Sequence, residues 1–250
     1  MAGIEKLPKN NIHYTIGVMS GKGGVGKSTV SVLIAEALAK KGFRTGILDA
    51  DITGPSIPKL FNMKNEKLLT NENKLLPMEL DNGLKIVSMN LLLDNRDKPV
   101  IWRGPLLSSV VQQFWTEVDW GELDYLIIDM PPGTADIALT VMQQMPVDGL
   151  FIVTTPHDLV SQIVKKSIFM AEEVNLPVYG IIENMASLVC PHCNEKIELF
   201  DTEDRPDSVF DYDIVASLPM IPKFSKFIEQ HSYPDIIDNE INKVLKLLNA

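Results

Sequence analysis

Residues Gly21-Lys22-Gly23-Gly24-Val25-Gly26-Lys27-Ser28-Thr29 constrain this chain more than any other stretch. They satisfy G-x-x-x-x-G-K-[ST], a glycine loop whose backbone N–H groups can turn inward on phosphate, here from Gly21 through Gly26. Upstream, Tyr14–Met19 is a short apolar, β-rich run. Downstream, Val30, Leu33, Ile34, Ala37 and Leu38 recur at helical spacing from Thr29 onward. Strand, glycine loop and helix is the context that the motif requires. The helix N-terminus adds partial positive charge. Lys27 would lie along the β- and γ-phosphates, and the Ser28 hydroxyl would complete a Mg²⁺ shell. Gly21, Gly23 and Gly26 also spell G-x-G-x-x-G, with Asp49 following at a dinucleotide-like distance. That alternative leaves Lys27-Ser28 and the later Asp129 unexplained, so the site is read as one for a nucleoside triphosphate.

The rest of the chain fits one α/β domain over residues 1–250. Strands are expected at Thr45–Leu48, Lys85–Met89, Tyr125–Ile128, Leu150–Thr154, Val178–Ile182 and Ile214–Leu218. Helical periodicity fits Val30–Lys40, Leu106–Val118, Ile137–Met145, Leu159–Val174 and Ile236–Leu248. Near-continuous apolar strands alternating with helices predict a doubly wound, mostly parallel sheet with helices on both faces. Residues 1–12 read as a flexible tail, and residues 62–84 as a surface excursion carrying a small hairpin. Residues 186–213 read as a cysteine-pair loop followed by an acidic segment.

Composition excludes some function classes. A net charge of −10 lacks the basic footprint of a general nucleic-acid binder. Met1–Asn11 has no apolar h-region, and no stretch approaches the roughly 18 apolar residues of a membrane span. Two cysteines make no disulfide framework, which favours a cytoplasmic setting. The apolar face Ile237, Ile241, Val244, Leu245 and Leu248 is opposed by mixed charge, so core packing is expected there, not membrane binding. His13, His157 and His231 show no ligand spacing, and His192 would crowd the cysteines that flank it.

Three acids complete the nucleotide machinery. Asp49 and Asp51 follow the second strand, at the end where open α/β sheets place ligands. Their two-residue spacing points both carboxylates toward the loop's mouth. Asp51 would orient an attacking water, while Asp49 would serve the metal or switch loops. Asp129 ends the apolar run Tyr125–Ile128, a Walker-B pattern that holds Mg²⁺ directly or through water. In the Met130-Pro-Pro-Gly133 turn that follows, the Gly133 N–H can approach a γ-phosphate.

Cys190-Pro191-His192-Cys193 brings two thiolates within reach of one metal, half of a four-thiolate site that a second copy could complete. Spacing alone leaves metal binding, a zinc half-site included, and a redox pair equally open. Lys22 resembles the signature lysine of the deviant Walker-A ATPases, the group containing MinD, ParA and the nitrogenase iron protein. There it reaches across a dimer to the partner's phosphates and adds positive charge in trans. From about Ile16 to Met220 the sequence resembles the Mrp/ApbC branch of these ATPases, carriers of iron–sulfur clusters. The resemblance rests on Gly21–Thr29, Asp49–Pro58, Trp102-Arg-Gly-Pro105, Asp119–Gly133, Thr154-Thr-Pro156, and Glu183-Asn-Met185 leading into Cys190–Cys193. It implies a homodimer with a [4Fe–4S] cluster bridging Cys190 and Cys193 of each chain, apo iron–sulfur proteins as clients, and slow ATP hydrolysis. It further implies that Asn184 reads the adenine edge. Neither nucleic acid nor membrane is expected as a partner.

Three features depart from that branch. Ala135 stands where many members have glycine, Asn194–Asp213 is acidic where many are glycine-rich, and no four-cysteine ferredoxin-like motif accompanies the single pair. Trp102–Pro105 fits a dimer interface and a covered core edge equally well. The competing functions are a MinD/ParA-like positioning ATPase, which would need a basic face, and a zinc- or nucleotide-dependent regulator without significant turnover.

Overall fold

The computed structural model describes residues 6–8, 10–51, 56–63, 68–71, 74–88, 112–133, 136–158, 162–190, 192–193, 195–199, 208–220, 222 and 224–250. Trp102–Pro105, Ile52–Pro55, Thr134–Ala135, Pro191 and most of the acidic segment therefore lie outside the described residues. So do the first turns expected of the helices at Leu106 and Leu159.

Elements follow in chain order. β1 (Ile12–Ser20) leads through the glycine loop to α1 (Lys27–Lys40), β2 (Thr45–Asp49) and the short α2 (Ile57–Leu60). β3 (Leu69–Asn71), β4 (Lys74–Leu76), β5 (Met78–Glu79) and β6 (Lys85–Ser88) come next. Residues 112–116 are helical. β7 (Leu123–Asp129), α3 (Asp136–Gln144), β8 (Gly149–Thr154), α4 (Gln162–Glu173) and β9 (Val178–Glu183) continue the alternation. The chain ends with β10 (Ser187–Val189), β11 (Lys196–Glu198), β12 (Ser208–Val209), β13 (Tyr212–Ser217), α5 (Phe224–Glu229) and α6 (Asp235–Leu247).

Among the described residues the main sheet has the order β12-β13-β9-β8-β1-β7-β2-β6-β5. From β13 to β6 all neighbours are parallel, and only the edge strands β12 and β5 pair antiparallel. Period-2 alternation feeds two cores. On β7, Tyr125 and Ile127 join the layer under α1 and α6, whereas Leu126 and Ile128 join the layer under α3. Helices thus cover both faces, as the apolar strands predict. Helix α1 is buried almost all round, Val32 and Ala35 included, because it packs on the sheet and against α6. Ile237, Ile241, Val244, Leu245 and Leu248 are all buried in the same core, which accounts for that helix face without a lipid surface. Among the described residues, no helix is long and apolar enough to cross a membrane.

Two local expectations change. The stretch read as a flexible tail is tied down along its described part. Leu7 N–H reaches Gln144 O at 2.8 Å, Trp115 Nε1 donates to Pro8 O at 2.8 Å, and Asn10 Nδ2 donates to Trp115 O at 2.7 Å. Buried tryptophan N–H groups need acceptors, and this polar stretch supplies one. Residues 62–84 do carry the hairpin, β3 with β4, but it is anchored: Leu75 exchanges backbone bonds with Glu117 and Asp119, and β5 extends the main sheet.

Ile127 lies fully buried in a strand flanked on both sides. Truncating such a side chain removes burial and leaves a cavity. Ile127→Ala is expected to lower unfolding free energy by about 2–5 kcal/mol, read from the urea midpoint at unchanged m-value.

Candidate functional site

Every strand that matters to the site ends at one edge of the sheet. β1 delivers Ser20 and the glycine loop, β2 delivers Asp49 and Asp51, β7 delivers Asp129, and β9 delivers Glu183 and Asn184. Parallel strands share a direction, so these carboxyl ends converge.

The loop is shaped by its glycines. Gly24 and Gly26 both hold φ near +84°, the left-handed region that side chains disfavour. A Cβ on Gly26 would also stand 2.1 Å from Asn184 Nδ2. Gly21 packs against the first turn of α4, where a Cβ would meet Ile163 Oat 2.9 Å. Gly23, Gly24, Gly26, Lys27, Ser28 and Thr29 line a cleft of about 460 Å³. Val25 is buried beneath it. Asp51, Ser56 and Leu60 close one side of the cleft, and Pro132 and Met185 border it elsewhere.

Asp129 is the centre of the polar network. Lys27 Nζ lies 2.7 Å from its Oδ1, Ser28 Oγ donates to its Oδ2 at 2.5 Å, and Ser31 Oγ lies 2.8 Å from Oδ1. The carboxylate is fully buried, so this set of partners is what makes its charge tolerable there. Ser28 and Asp129 together present the hard oxygen ligands that Mg²⁺ takes. Ser31 was missed in the sequence, although its position four residues after Lys27 places it on the same helix face.

The two neighbouring acids diverge. Asp51 lines the cleft. Asp49 sits behind it, accepting from Ser88 Oγ at 3.1 Å, from Asp51 N–H at 3.2 Å and from Ile57 N–H at 3.3 Å. Burial, with the charge of Asp129 adding to it and Lys27 opposing, pushes the Asp49 carboxyl up to about 7. Ser88 is a second missed residue, since only the β2–β6 register brings it beside Asp49.

Gly133 has φ +80°, but its N–H donates to Ser20 O at 2.8 Å. Contact with a γ-phosphate would require that bond to be exchanged, because the turn continues the β1–β7 ladder. The side chain of Asn184 is buried and donates to Val25 O at 2.9 Å, bracing the glycine loop from behind. That bond takes one of its two N–H donors. Lys22 projects from the loop as an exposed residue.

The cysteines sit at the tip of the β10–β11 hairpin, outside the cleft, with Cys190 half-buried and Cys193 exposed. The backbone N–H of Cys193, then that of His192, then the Cys193 thiol, hold the Cys190 thiol below its usual range. Such N–H groups stabilise the thiolate over the neutral thiol. Among the described residues no group of three or more His, Cys, Asp or Glu could hold a metal. His231, which carried no expectation, pairs with the buried Glu36 at 2.8 Å and has a structural place.

A parallel sheet with a phosphate loop after its first strand, a Walker-B aspartate on the adjacent strand and a lysine inside the loop defines a P-loop NTPase. The family model described as "ParA: NUBPL iron-transfer P-loop NTPase" matches residues 11–248, and the chain belongs to that family. It is 52% identical over 204 residues, 79% of its length, to an iron-sulfur cluster carrier protein of Clostridium perfringens. It spans 72% of that relative, and 66% of the length of two others of the same name. Among solved structures it resembles a nucleotide-binding protein from Archaeoglobus fulgidus in complex with ADP. The TM-score is 0.74 at 38% identity, covering 91% of this chain and 88% of that one. The fold is also that of MinD from Pyrococcus horikoshii complexed with Mg-ADP, with TM-score 0.64 at 18% identity and coverage of 92% and 93%. The resemblance to cluster-carrier ATPases read from the motifs is thus borne out at the level of family and fold.

Two outcomes check the site. Gly26→Ala breaks both the backbone conformation and the space that Asn184 fills. ADP affinity measured by calorimetry is expected to fall at least about tenfold, ~1.4 kcal/mol, and wild-type binding would refute this cradle geometry. The second concerns the protein without nucleotide or metal. A carboxyl near 3.9 when unfolded and near 7 when folded means that the native state holds the extra proton between those values. Its contribution is therefore full below about 4 and lost as pH rises through 7. Asp49→Asn is expected to flatten the fall in stability across that window, read as urea midpoints at several pH values.

Proposed function

We propose that the chain binds ATP with Mg²⁺ and carries an iron–sulfur cluster, a [4Fe–4S] unit held between two copies, to apo-proteins. The observation that carries this reading is the hairpin. It presents two thiols, one biased toward thiolate, on a chain whose glycine-loop cleft opens at the same edge of the sheet, and two such pairs make a four-thiolate set. A second copy related by a two-fold axis supplies the other half. The names of the relatives, iron-sulfur cluster carrier proteins, support the same reading.

In this reading Lys27 lies along the β- and γ-phosphates once it exchanges Asp129 for them. Ser28 and Asp129 hold Mg²⁺, the latter through water, and the metal neutralises phosphate charge. Asp51 in the cleft wall orients the attacking water, and Asp49 fixes the start of α2 and the Asp51 backbone behind it. Lys22, exposed on the loop, serves the partner's nucleotide in trans. Hydrolysis is slow and is coupled to cluster binding or release. Cytoplasmic cluster assembly is the setting. A positioning ATPase on DNA or membrane would need a basic face, and the last helix α6 spends its apolar face on the core.

Metal and acid-labile sulfide, measured on protein purified without oxygen, test the proposal. About four iron and four sulfide per two chains are expected, absent from the Cys190→Ser, Cys193→Ser double variant. Zinc without sulfide would assign a structural or sensory site, and no metal even after reconstitution would overturn the carrier role.

A further inference from the structure

The chain between the nucleotide cleft and the cysteine hairpin is short and anchored at both ends. Asn184 is held at two atoms: its backbone N–H donates to Thr154 O at 2.8 Å and its side chain to Val25 O at 2.9 Å. Two residues later, Ala186 N–H donates to Leu218 O at 2.9 Å, and Met220 N–H donates to Ser187 O at 2.6 Å. Met185 is the one residue between these anchors. Its φ is +57°, left-handed backbone that a long side chain seldom adopts. Its side chain borders the cleft, with Cε 3.5 Å from the place a Gly26 Cβ would take. Directly after it, β10 runs to Cys190, whose N–H closes the hairpin on Glu195 O at 2.9 Å.

We propose that Met185 is a positioning residue through which nucleotide in the cleft sets the geometry of Cys190 and Cys193. The inference rests on the nucleotide and cargo reading above and names the route that joins its two halves. A nucleoside packed against the Met185 side chain acts on the residue whose torsions join the loop-braced Asn184 to the hairpin. A small change in those torsions shifts β10 and β11 as one unit, since the two strands are bonded to each other along their length, and takes with them the Leu218–Met220 segment paired to their base. Backbone held in a sparsely populated region is where such two-position behaviour is found. The nucleotide shifts the hairpin by as much as it prefers one setting over the other.

Thiol reactivity reads this without any cluster. Metal-free, reduced protein is alkylated with iodoacetamide with and without saturating Mg-ADP, and modification at Cys190 and Cys193 is followed by mass spectrometry. ADP is used so that association through the γ-phosphate does not itself cover the thiols. In the wild type the Cys190 rate is expected to change at least about fivefold on saturation, the low end of ordinary coupling between sites. Met185→Gly keeps the positive φ at no steric cost but removes the side chain, and its response should shrink to within about twofold at its own saturating ADP. Met185→Leu, which keeps a side chain of similar reach, should retain the response. A wild type that ignores ADP, or a Met185→Gly protein that responds as the wild type does, overturns the proposal. Because the assay contains no iron, failed cluster loading and a missing thiol response are separate results. The first counts against the cargo reading, the second against this route.

Discussion

The carboxylate of Asp129 ties the molecule together. It ends the strand between β1 and β2, is fully buried, and receives Lys27, Ser28 and Ser31 from the first turns of α1. A charge taken out of water at that depth is tolerated only when its partners are all in place, and removing one partner of a buried pair typically costs about 3–5 kcal/mol. The same contacts therefore dock α1 on the sheet, hold the glycine loop at its mouth, and fix the oxygens that suit Mg²⁺. The cost of burying the ionised group is met by residues that phosphate binding also uses. Fold and site share one knot, and neither can be altered there without the other.

That knot explains which parts were legible in the sequence. Apolar runs ending in an aspartate, and helical periodicity after the glycine loop, are local patterns, and β1, β2, β7, α1 and α6 follow them closely. The glycine loop is legible because its chemistry is carried by consecutive residues. What escaped the sequence depends on register across strands. Ser88 matters only because β6 pairs with β2 so that it stands opposite Asp49. The Gly133 N–H looks available in the sequence, yet the β1–β7 pairing extends far enough to bond it to Ser20 O. The resemblance implies a base-edge amide at Asn184, and its bond to Val25 O, 159 residues away in the chain, is a contact that sequence alone does not suggest. Polarity in this stretch suggests a solvated tail, whereas Pro8 O accepts from the Nε1 of buried Trp115 and the Asn10 side-chain amide donates to Trp115 O.

The cysteine pair shows a different limit. C-x-x-C spacing is compatible with a metal or with a disulfide, and periodicity adds nothing to decide between them. The hairpin adds physical content: backbone N–H groups of His192 and Cys193 aim at Cys190, lowering the proton affinity of its sulfur. That favours any thiolate role, redox chemistry included. What separates the roles is arrangement. Among the described residues no third or fourth ligand joins the pair, so the proposed cluster draws its remaining thiolates from a second copy. Family membership bears on the choice between metal and disulfide, because the matching model spans residues 11–248, hairpin included, and is described as an iron-transfer one.

The polarity of the sheet sets how the two halves of the molecule can communicate. All strands from β13 to β6 run one way, so phosphate loop, aspartates and cysteine hairpin emerge at the same edge. The link from β9 to β10 is then a few residues long instead of a crossing of the domain. Asn184 is bonded both to β8 through Thr154 O and to the loop through Val25 O, so it reports the position of the cradle. Ala186 and Ser187 are bonded to Leu218 and Met220 of the segment after β13, and Leu218 N–H in turn donates to Glu183 O at 2.8 Å, so the hairpin base is tied to the end of β9 as well. In the proposed coupling, movement between cradle and hairpin passes through the link from Asn184 to Ala186 and carries the Leu218–Met220 segment with it. Within that link Met185 holds left-handed backbone at φ +57°, the kind of sparsely populated conformation found at switching points.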